Sequence, residues 1–228
     1  MSLVGRRVLI TGGGTGLGAD LARGFTTVGA SVVIAGRRRQ TLDEVAAVTG
    51  AIVVVADVTV ESDVERMFAE AGAVDIVIAN AGAAESAPLT RTSLEMWQQL
   101  IDVNLTGTFL TLRDGARQLR SRDWGRLITI ASTAGLRGYP YVSAYTAAKH
   151  GAVGLTRAIA AELAPTGVTA NALCPGYLDT EMTDRTIANI VAKTGRSRAE
   201  ALQTLASANP QGRLIEPAEV TAAALWLC

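Results

Sequence analysis

Six short runs rich in β-branched residues recur along the chain: RVLIT (7–11), SVVIA (31–35), AIVVVA (51–56), VDIVIAN (74–80), RLITIAS (126–132) and GVTANAL (167–173). They are almost continuously apolar rather than alternating, which is the pattern of strands covered on both faces. Helix-compatible stretches lie at 16–29, 61–71, 92–121 and 143–164, with a last one at 217–227. Strand and helix in alternation predict an α/β fold in which a doubly wound parallel sheet carries helices on both sides. A chain of 228 residues suits one such domain over residues 1–228. One segment breaks the rhythm. Residues 174–212 begin with Pro175-Gly176, carry the charged stretches EMTDR and KTGRSRAE, and end near Pro210, so they read as an insertion over the sheet, with a substrate loop at about 178–209.

Charge excludes several classes of partner. Lys+Arg and Asp+Glu both total 21, so no basic face is expected for nucleic acid or an anionic membrane, and a small neutral substrate fits better. No apolar run approaches the roughly 18 residues of a membrane span, and MSLVGRR has no signal-peptide core, so a cytoplasmic location is expected. Cys174 and Cys228 are far apart and show no metal-ligand spacing, so neither a disulfide nor a metal site is expected.

The first strand runs straight into TGGGTGLG (11–18), five glycines in eight residues, and a helix follows. That much backbone freedom destabilises a fold unless close approach to something requires it. In this position Thr11, Gly12, Gly16, Leu17 and Gly18 would form the turn of a Rossmann-type unit, with backbone N–H groups and a helix N-terminus meeting a pyrophosphate. The other reading is a glycine-rich turn with no ligand. The end of the second strand decides which dinucleotide fits. An acid there accepts from the ribose 2'-OH of NAD, whereas an arginine accommodates the 2'-phosphate of NADP. The corner reads Ala35-Gly36-Arg37-Arg38-Arg39, with no acid before Asp43. NADP(H) is therefore expected, NAD(H) being the alternative, and Arg37, nearest the strand, is the expected phosphate contact.

SAYTAAKHG (143–151) falls in a predicted helix, so Tyr145 and Lys149 at i and i+4 share one face. A cation beside a phenol favours the phenolate and brings the group toward a pKa useful for proton transfer. Tyr145 is thus expected to donate a proton to the alkoxide that forms as a carbonyl is reduced, and Ser132, at the end of the fifth strand, to hydrogen-bond the same oxygen. The rival reading is a lysine solvating a helix face above a packed tyrosine. His150, the only histidine, follows Lys149 but turns off that face by about 100°, so it is expected to pack rather than relay protons. Trp97, Trp124 and Trp226 are scattered and read as packing or interface anchors.

These motifs, in this order, resemble the short-chain dehydrogenase/reductase family over essentially the whole chain. The family's T-G-x-x-x-G-x-G matches Thr11, Gly12, Gly16 and Gly18. The resemblance implies that Asp57 and Val58 contact adenine, that Asn80, Ala81 and Gly82 form the N-A-G after the fourth strand, and that Pro175, Gly176 and Thr180 cradle the nicotinamide end. The residue before Asn80, often another Asn, is Ala79 here. The resemblance also implies that Asn104 holds a water linking Lys149 to solvent, completing a tetrad of Asn104, Ser132, Tyr145 and Lys149, and that Lys149 binds the nicotinamide ribose. A dimeric or tetrameric homo-oligomer is implied in the same way.

Function on this reading is reduction of a carbonyl or oxidation of a secondary alcohol. A non-catalytic NADP-binding sensor would need the glycine turn but not Ser132, Tyr145 and Lys149, and epimerases or dehydratases of the extended branch resemble longer chains. AYTAAKHGAVGLT through TANALCPGY is similar to both 3-hydroxybutyrate dehydrogenases and 3-oxoacyl reductases. The former usually carry His and Lys where this chain has Ala134 and Val142, which disfavours a small hydroxy acid whose carboxylate would be buried unpaired. A 3-oxoacyl thioester or a neutral ketone fits better. Arg185, Lys193, Arg196 and Arg198 read equally as contacts for a phosphopantetheine or CoA phosphate and as solvated helix faces. Family members usually continue beyond a sequence like AALWLC into another loop and strand, so a truncation after Cys228 is an expectation of the same resemblance.

Overall fold

The computed structural model describes residues 2–228. Its centre is a six-stranded parallel sheet of β1 (Arg7–Thr11), β2 (Ser31–Gly36), β3 (Ile52–Val55), β4 (Ile76–Ala79), β5 (Gly125–Ile130) and β6 (Val168–Leu173). The strands lie in the order β3-β2-β1-β4-β5-β6. Strand order reverses between β1 and β4, which are joined in register from Val8 opposite Ile76 to Ile10 opposite Ile78. The loops leaving these two strands diverge to opposite sides and open a crevice at their carboxyl ends.

Alternation along each strand divides the core into two layers. Val8, Ile10, Val32, Ile34, Ile76, Ile78 and Ile128 face α1 (Gly16–Thr27) and α9 (Pro217–Trp226), burying Leu17, Leu21 and Phe25 beneath them. Leu9, Val33, Val54, Val77 and Leu127 face the other way, onto α3 (Glu61–Ala71), α5 (Gly107–Leu119) and α6 (Ser143–Leu163), with Met67, Leu112 and Leu119 fully buried. Both faces being covered explains why the strands read as unbroken apolar runs.

Three helical features differ from the sequence expectation. Residues 92–121 do not form one helix. They form α4 (Leu94–Ile101), a wide π-type turn (Asp102–Thr106) and α5, with Ser93 accepting from the Met96 N–H to start the first. The helix α2 (Arg39–Thr49) begins at the arginine corner but shows little periodicity, because its buried side is only Leu42 and Val45, and it ends on Gly50 in the left-handed conformation (φ 69°). The insertion is also largely helical. It holds α7 (Glu181–Thr194), closed by left-handed Gly195 (φ 69°), and α8 (Arg198–Ala206), opened by a reciprocal Ser197/Glu200 cap. Ile187, Ala201 and Leu205 give the insertion its own small core.

Asn209 ties the two ends of that insertion together. Its side chain, 3% exposed, donates from Nδ2 to the Tyr177 and Arg213 carbonyls (2.9 and 2.7 Å) and accepts from the Tyr177 N–H (3.0 Å). Leu178 and Ile215 pair beside it. Among the described residues no helix is long and apolar enough to cross a membrane.

Candidate active site

The crevice above β1 and β4 is a cleft of about 560 Å³, within the range of small-molecule sites. Its floor at one end is the glycine turn. Gly12 adopts a left-handed φ of 67°, and a Cβ on Gly18 would lie 2.0 Å from the Gly12 carbonyl oxygen, so α1 starts as near to the β1 end as a backbone can come. No acidic residue occupies the first turn of α1, leaving its N-terminal N–H groups facing the cleft for an anion. Gly12, Gly16, Leu17 and Gly18 line it. Thr11 does not. It is 1% exposed, and its Oγ1 accepts from the N–H groups of Asn80 and Ala81 (3.1 and 3.2 Å). Asn80 Nδ2 returns a bond to the Thr11 carbonyl (2.9 Å). Thr11 and Asn80 thus lock the two strand ends that define the crevice, a bracing role rather than a ligand contact for Thr11.

Arg37 stands at the end of β2 on the rim, 75% exposed, with Nη1 3.7 Å from Asp57 Oδ2. Arg38, the next arginine of the corner, and Thr41, which the sequence does not single out, line the cleft beside it. Arg39 turns away into a pair with Asp43 (2.9 Å). Asp57 is itself organised, its Oδ1 accepting from the N–H and hydroxyl of Thr59 (2.9 and 2.8 Å). Val58 is buried against Gly107 and also lines the cleft, as do Ala81, Gly82, Pro175, Gly176 and Thr180. The residues assigned to a dinucleotide therefore converge on one elongated cavity, Thr11 excepted.

Its other end holds the polar floor. Tyr145 and Lys149 project from one face of α6 into the cleft, with Lys149 Nζ 5.6 Å from the Tyr145 ring centroid. Ser132, at the end of β5, accepts from the Ala134 N–H through Oγ (3.1 Å), and its own hydroxyl is hydrogen-bonded to the Tyr145 phenol. Lys149 is 4% exposed, and Nζ donates to the Ile130 carbonyl (2.9 Å). Burial lowers its pKa from 10.5 to about 8. Burial also pushes the Tyr145 phenol above its usual value, against the pull of the Ser132 hydroxyl. This departs from the expectation that Lys149 lowers Tyr145. Desolvation is the largest cause, and the Lys149 ammonium is directed at the Ile130 carbonyl.

Asn104 sits in the π-type turn and is fully buried. Both of its amide hydrogens are engaged, on the Leu100 and Ala83 carbonyls (each 2.9 Å), and its Oδ1 accepts from the Ala83 N–H (3.3 Å). A Cβ on Gly82 would lie 2.8 Å from Asn104 Oδ1 and 3.7 Å from Lys149 Nζ, so the residue reaches the tetrad while bracing the loop after β4. His150 was expected to pack, but it is exposed, with Nδ1 2.9 Å from the Thr146 carbonyl one turn back. It does not line the cleft.

Residues 6–190 match the family model for short chain dehydrogenases. The chain is 34% identical over 234 aligned positions to a D-beta-hydroxybutyrate dehydrogenase of Rhizobium meliloti, covering 97% of this chain and 91% of that protein. It is 32% identical over 238 positions to a 3-oxoacyl-(acyl-carrier-protein) reductase of Aquifex aeolicus, covering 100% and 92%. Among solved structures, levodione reductase superposes with a TM-score of 0.92 at 30% identity, over 98% of this chain and 90% of that one. A variant of the actinorhodin polyketide ketoreductase, solved with NADPH, superposes with a TM-score of 0.88 at 30% identity, over 97% and 89%.

Proposed function

The chain belongs to the short-chain dehydrogenase family and is an oxidoreductase, and within that family we propose that it is an NADP(H)-dependent carbonyl reductase acting on a 3-oxoacyl thioester or a neutral ketone. One observation carries this reading: a single cleft has Arg37 and Arg38 at one end and Ser132, Tyr145 and Lys149 at the other. The residues present fit the dinucleotide. Gly12 and Gly18 let the N-terminus of α1 close on the end of β1 with its N–H groups available to a pyrophosphate, and two guanidiniums suit a 2'-phosphate where a carboxylate would repel it. A related ketoreductase holds NADPH in the same fold, which supports the choice.

When bound, the reduced nicotinamide supplies a hydride to the carbonyl carbon. The chain's own residues deal with the oxygen. Burial keeps Tyr145 protonated at neutral pH, the form that can donate as negative charge develops on the substrate oxygen. The Ser132 hydroxyl, held beside the Tyr145 phenol, can donate to the same oxygen and fix its direction. Lys149, charged below about pH 8, faces the phenol's ring and stabilises the phenolate left behind.

The substrate end favours a neutral molecule. Ala134 and Val142 line it, and Arg185, the one further cation lining the cleft, is paired with Glu181 at 3.4 Å. A carboxylate buried against Ala134 and Val142 would have no cationic partner from those two positions. The reading is tested by following loss of reduced-nicotinamide absorbance with acetoacetyl-CoA, using NADPH and NADH in parallel. NADPH-selective turnover is expected. Turnover with NADH alone would overturn the cofactor assignment, and no turnover with either would overturn the thioester assignment and leave neutral ketones as the class to test.

A further inference from the structure

Three residues beyond the tetrad form a hydrogen-bonded chain along the substrate end of the cleft. Arg137 Nε donates to the Tyr139 phenol oxygen (2.8 Å), and that phenol lies 2.9 Å from Thr133 Oγ1. Thr133 and Tyr139 both line the cleft, whereas Arg137 does not. Thr133 directly follows Ser132, and its backbone N–H is held by the Pro175 carbonyl (2.9 Å), so its place relative to the tetrad is set by the backbone.

The polarity of this chain follows from donor and acceptor chemistry. Arginine has no acceptor, so the phenol oxygen must receive the guanidinium N–H. A phenol is a more acidic donor than an aliphatic hydroxyl, and a guanidinium on its oxygen strengthens it further. Threonine oxygen is the better acceptor of the two. The Tyr139 hydrogen therefore goes to Thr133 Oγ1, and the Thr133 hydroxyl hydrogen has no partner within the protein. Thr133, which lines the cleft, thus has a hydroxyl hydrogen to offer one residue from Ser132.

The chain is held at several points. Arg137 Nη2 donates to the Ala208 carbonyl (3.2 Å) while the guanidinium carbon lies 4.8 Å from the centre of the Tyr139 ring. Tyr177 meets the Tyr139 ring edge-on at 6.3 Å between centroids. Beyond Pro140, Tyr141 adopts a left-handed φ of 68°, and its carbonyl accepts from the Ala87 N–H across the cleft mouth (2.8 Å). A non-glycine residue is kept in that conformation only where its surroundings over-determine it.

We propose that the Thr133 hydroxyl, oriented by Tyr139 and Arg137, is a second donor subsite that recognises a neutral oxygen on the substrate close to the carbonyl being reduced. The proposal rests on the reductase reading and narrows it to ketones that carry a further carbonyl or hydroxyl oxygen. A carboxylate is poorly served here. Arg137 does not line the cleft and reaches it only through the Tyr139 phenol, so a charged oxygen would meet a hydroxyl donor and no direct cationic contact.

The test compares kcat/KM, with NADPH, for ethyl acetoacetate and for 2-heptanone, which matches it in chain length but lacks both ester oxygens. Thr133→Val is expected to lower the preference for ethyl acetoacetate by about 10- to 100-fold, the range for losing one hydrogen bond to a polar substrate group. Thr133→Ser should restore it, and Tyr139→Phe, which loosens Thr133 without removing its hydroxyl, should lower it by about 3- to 10-fold. A preference ratio unmoved in Thr133→Val, or one not restored by serine, overturns the subsite while leaving the reductase intact. A wild-type protein that binds NADPH yet reduces neither ketone overturns the proposed reaction and the subsite with it.

Discussion

Lys149 Nζ donates to the main-chain carbonyl of Ile130 at 2.9 Å, so the one ammonium in the floor of the cleft is bound to the last residue of β5 rather than to a carboxylate. A buried cation with only a neutral partner destabilises the fold, and its pKa falls from 10.5 to about 8 for that reason.

The pH dependence of stability follows from this. Below about pH 8 Lys149 is charged in both folded and unfolded protein, and the desolvation penalty is fully felt. Between about 8 and 10.5 the unfolded chain still binds the proton and the folded chain does not, so stability rises with pH. Against Lys149→Met, the wild type should therefore gain about 2 to 3 kcal/mol between pH 7 and pH 10. Thermal unfolding of both proteins at the two pH values measures it, and a difference independent of pH would contradict the buried-cation account.

Cofactor preference should lie in the arginine corner. Arg37 is held only by a 3.7 Å approach to Asp57 and is mostly exposed, so it can turn toward a 2'-phosphate at little cost. Arg37→Asp is expected to shift the NADPH/NADH ratio of kcat/KM toward NADH by about 10- to 100-fold, the scale of one charged hydrogen-bonding partner lost. Arg38→Asp should shift it in the same direction. An unchanged ratio in both variants would remove the basis for NADP(H).

The insertion should depend on Asn209. Asn209→Ala leaves the Tyr177 N–H and the Tyr177 and Arg213 carbonyls without their side-chain partner, at a cost of about 2 to 4 kcal/mol. Limited proteolysis should then cut first within α7 and α8, while the parallel sheet survives. Unchanged resistance to protease would show that the small core of Ile187, Ala201 and Leu205 holds the insertion without it.

The sheet was legible because strands buried on both faces leave no choice but continuous apolar runs, as in Val8-Leu9-Ile10 and Ile76-Val77-Ile78. Tyr145 and Lys149 were legible from helical spacing, and the cleft does bring them together with Ser132. The helix α2 was not, since RRRQTLDEVAAVT hides a two-residue buried side among charges. The π-type turn at Asp102–Thr106 was equally hidden, because both flanks share helical periodicity and only the bonds of Asn104 to Leu100 and Ala83 reveal the break. Thr41 is found only by following the chain past Arg37 and Arg38 into the first turn of α2. The sequence reading was misled on Tyr145, where spacing shows that a cation is near but not how deeply both groups are buried. The Arg137, Tyr139 and Thr133 chain has no sequence signature, for it is anchored on Ala208, far along the chain.

The central claim is that Tyr145 is the acid of a carbonyl reduction, and it is tested most directly by Tyr145→Phe. Steady-state reduction of acetoacetyl-CoA or a neutral ketone with NADPH should be measured beside NADPH binding by fluorescence. Binding should be retained while kcat falls by about 10²- to 10⁴-fold, the usual contribution of a positioned general acid. Undiminished turnover in the phenylalanine variant would contradict the account.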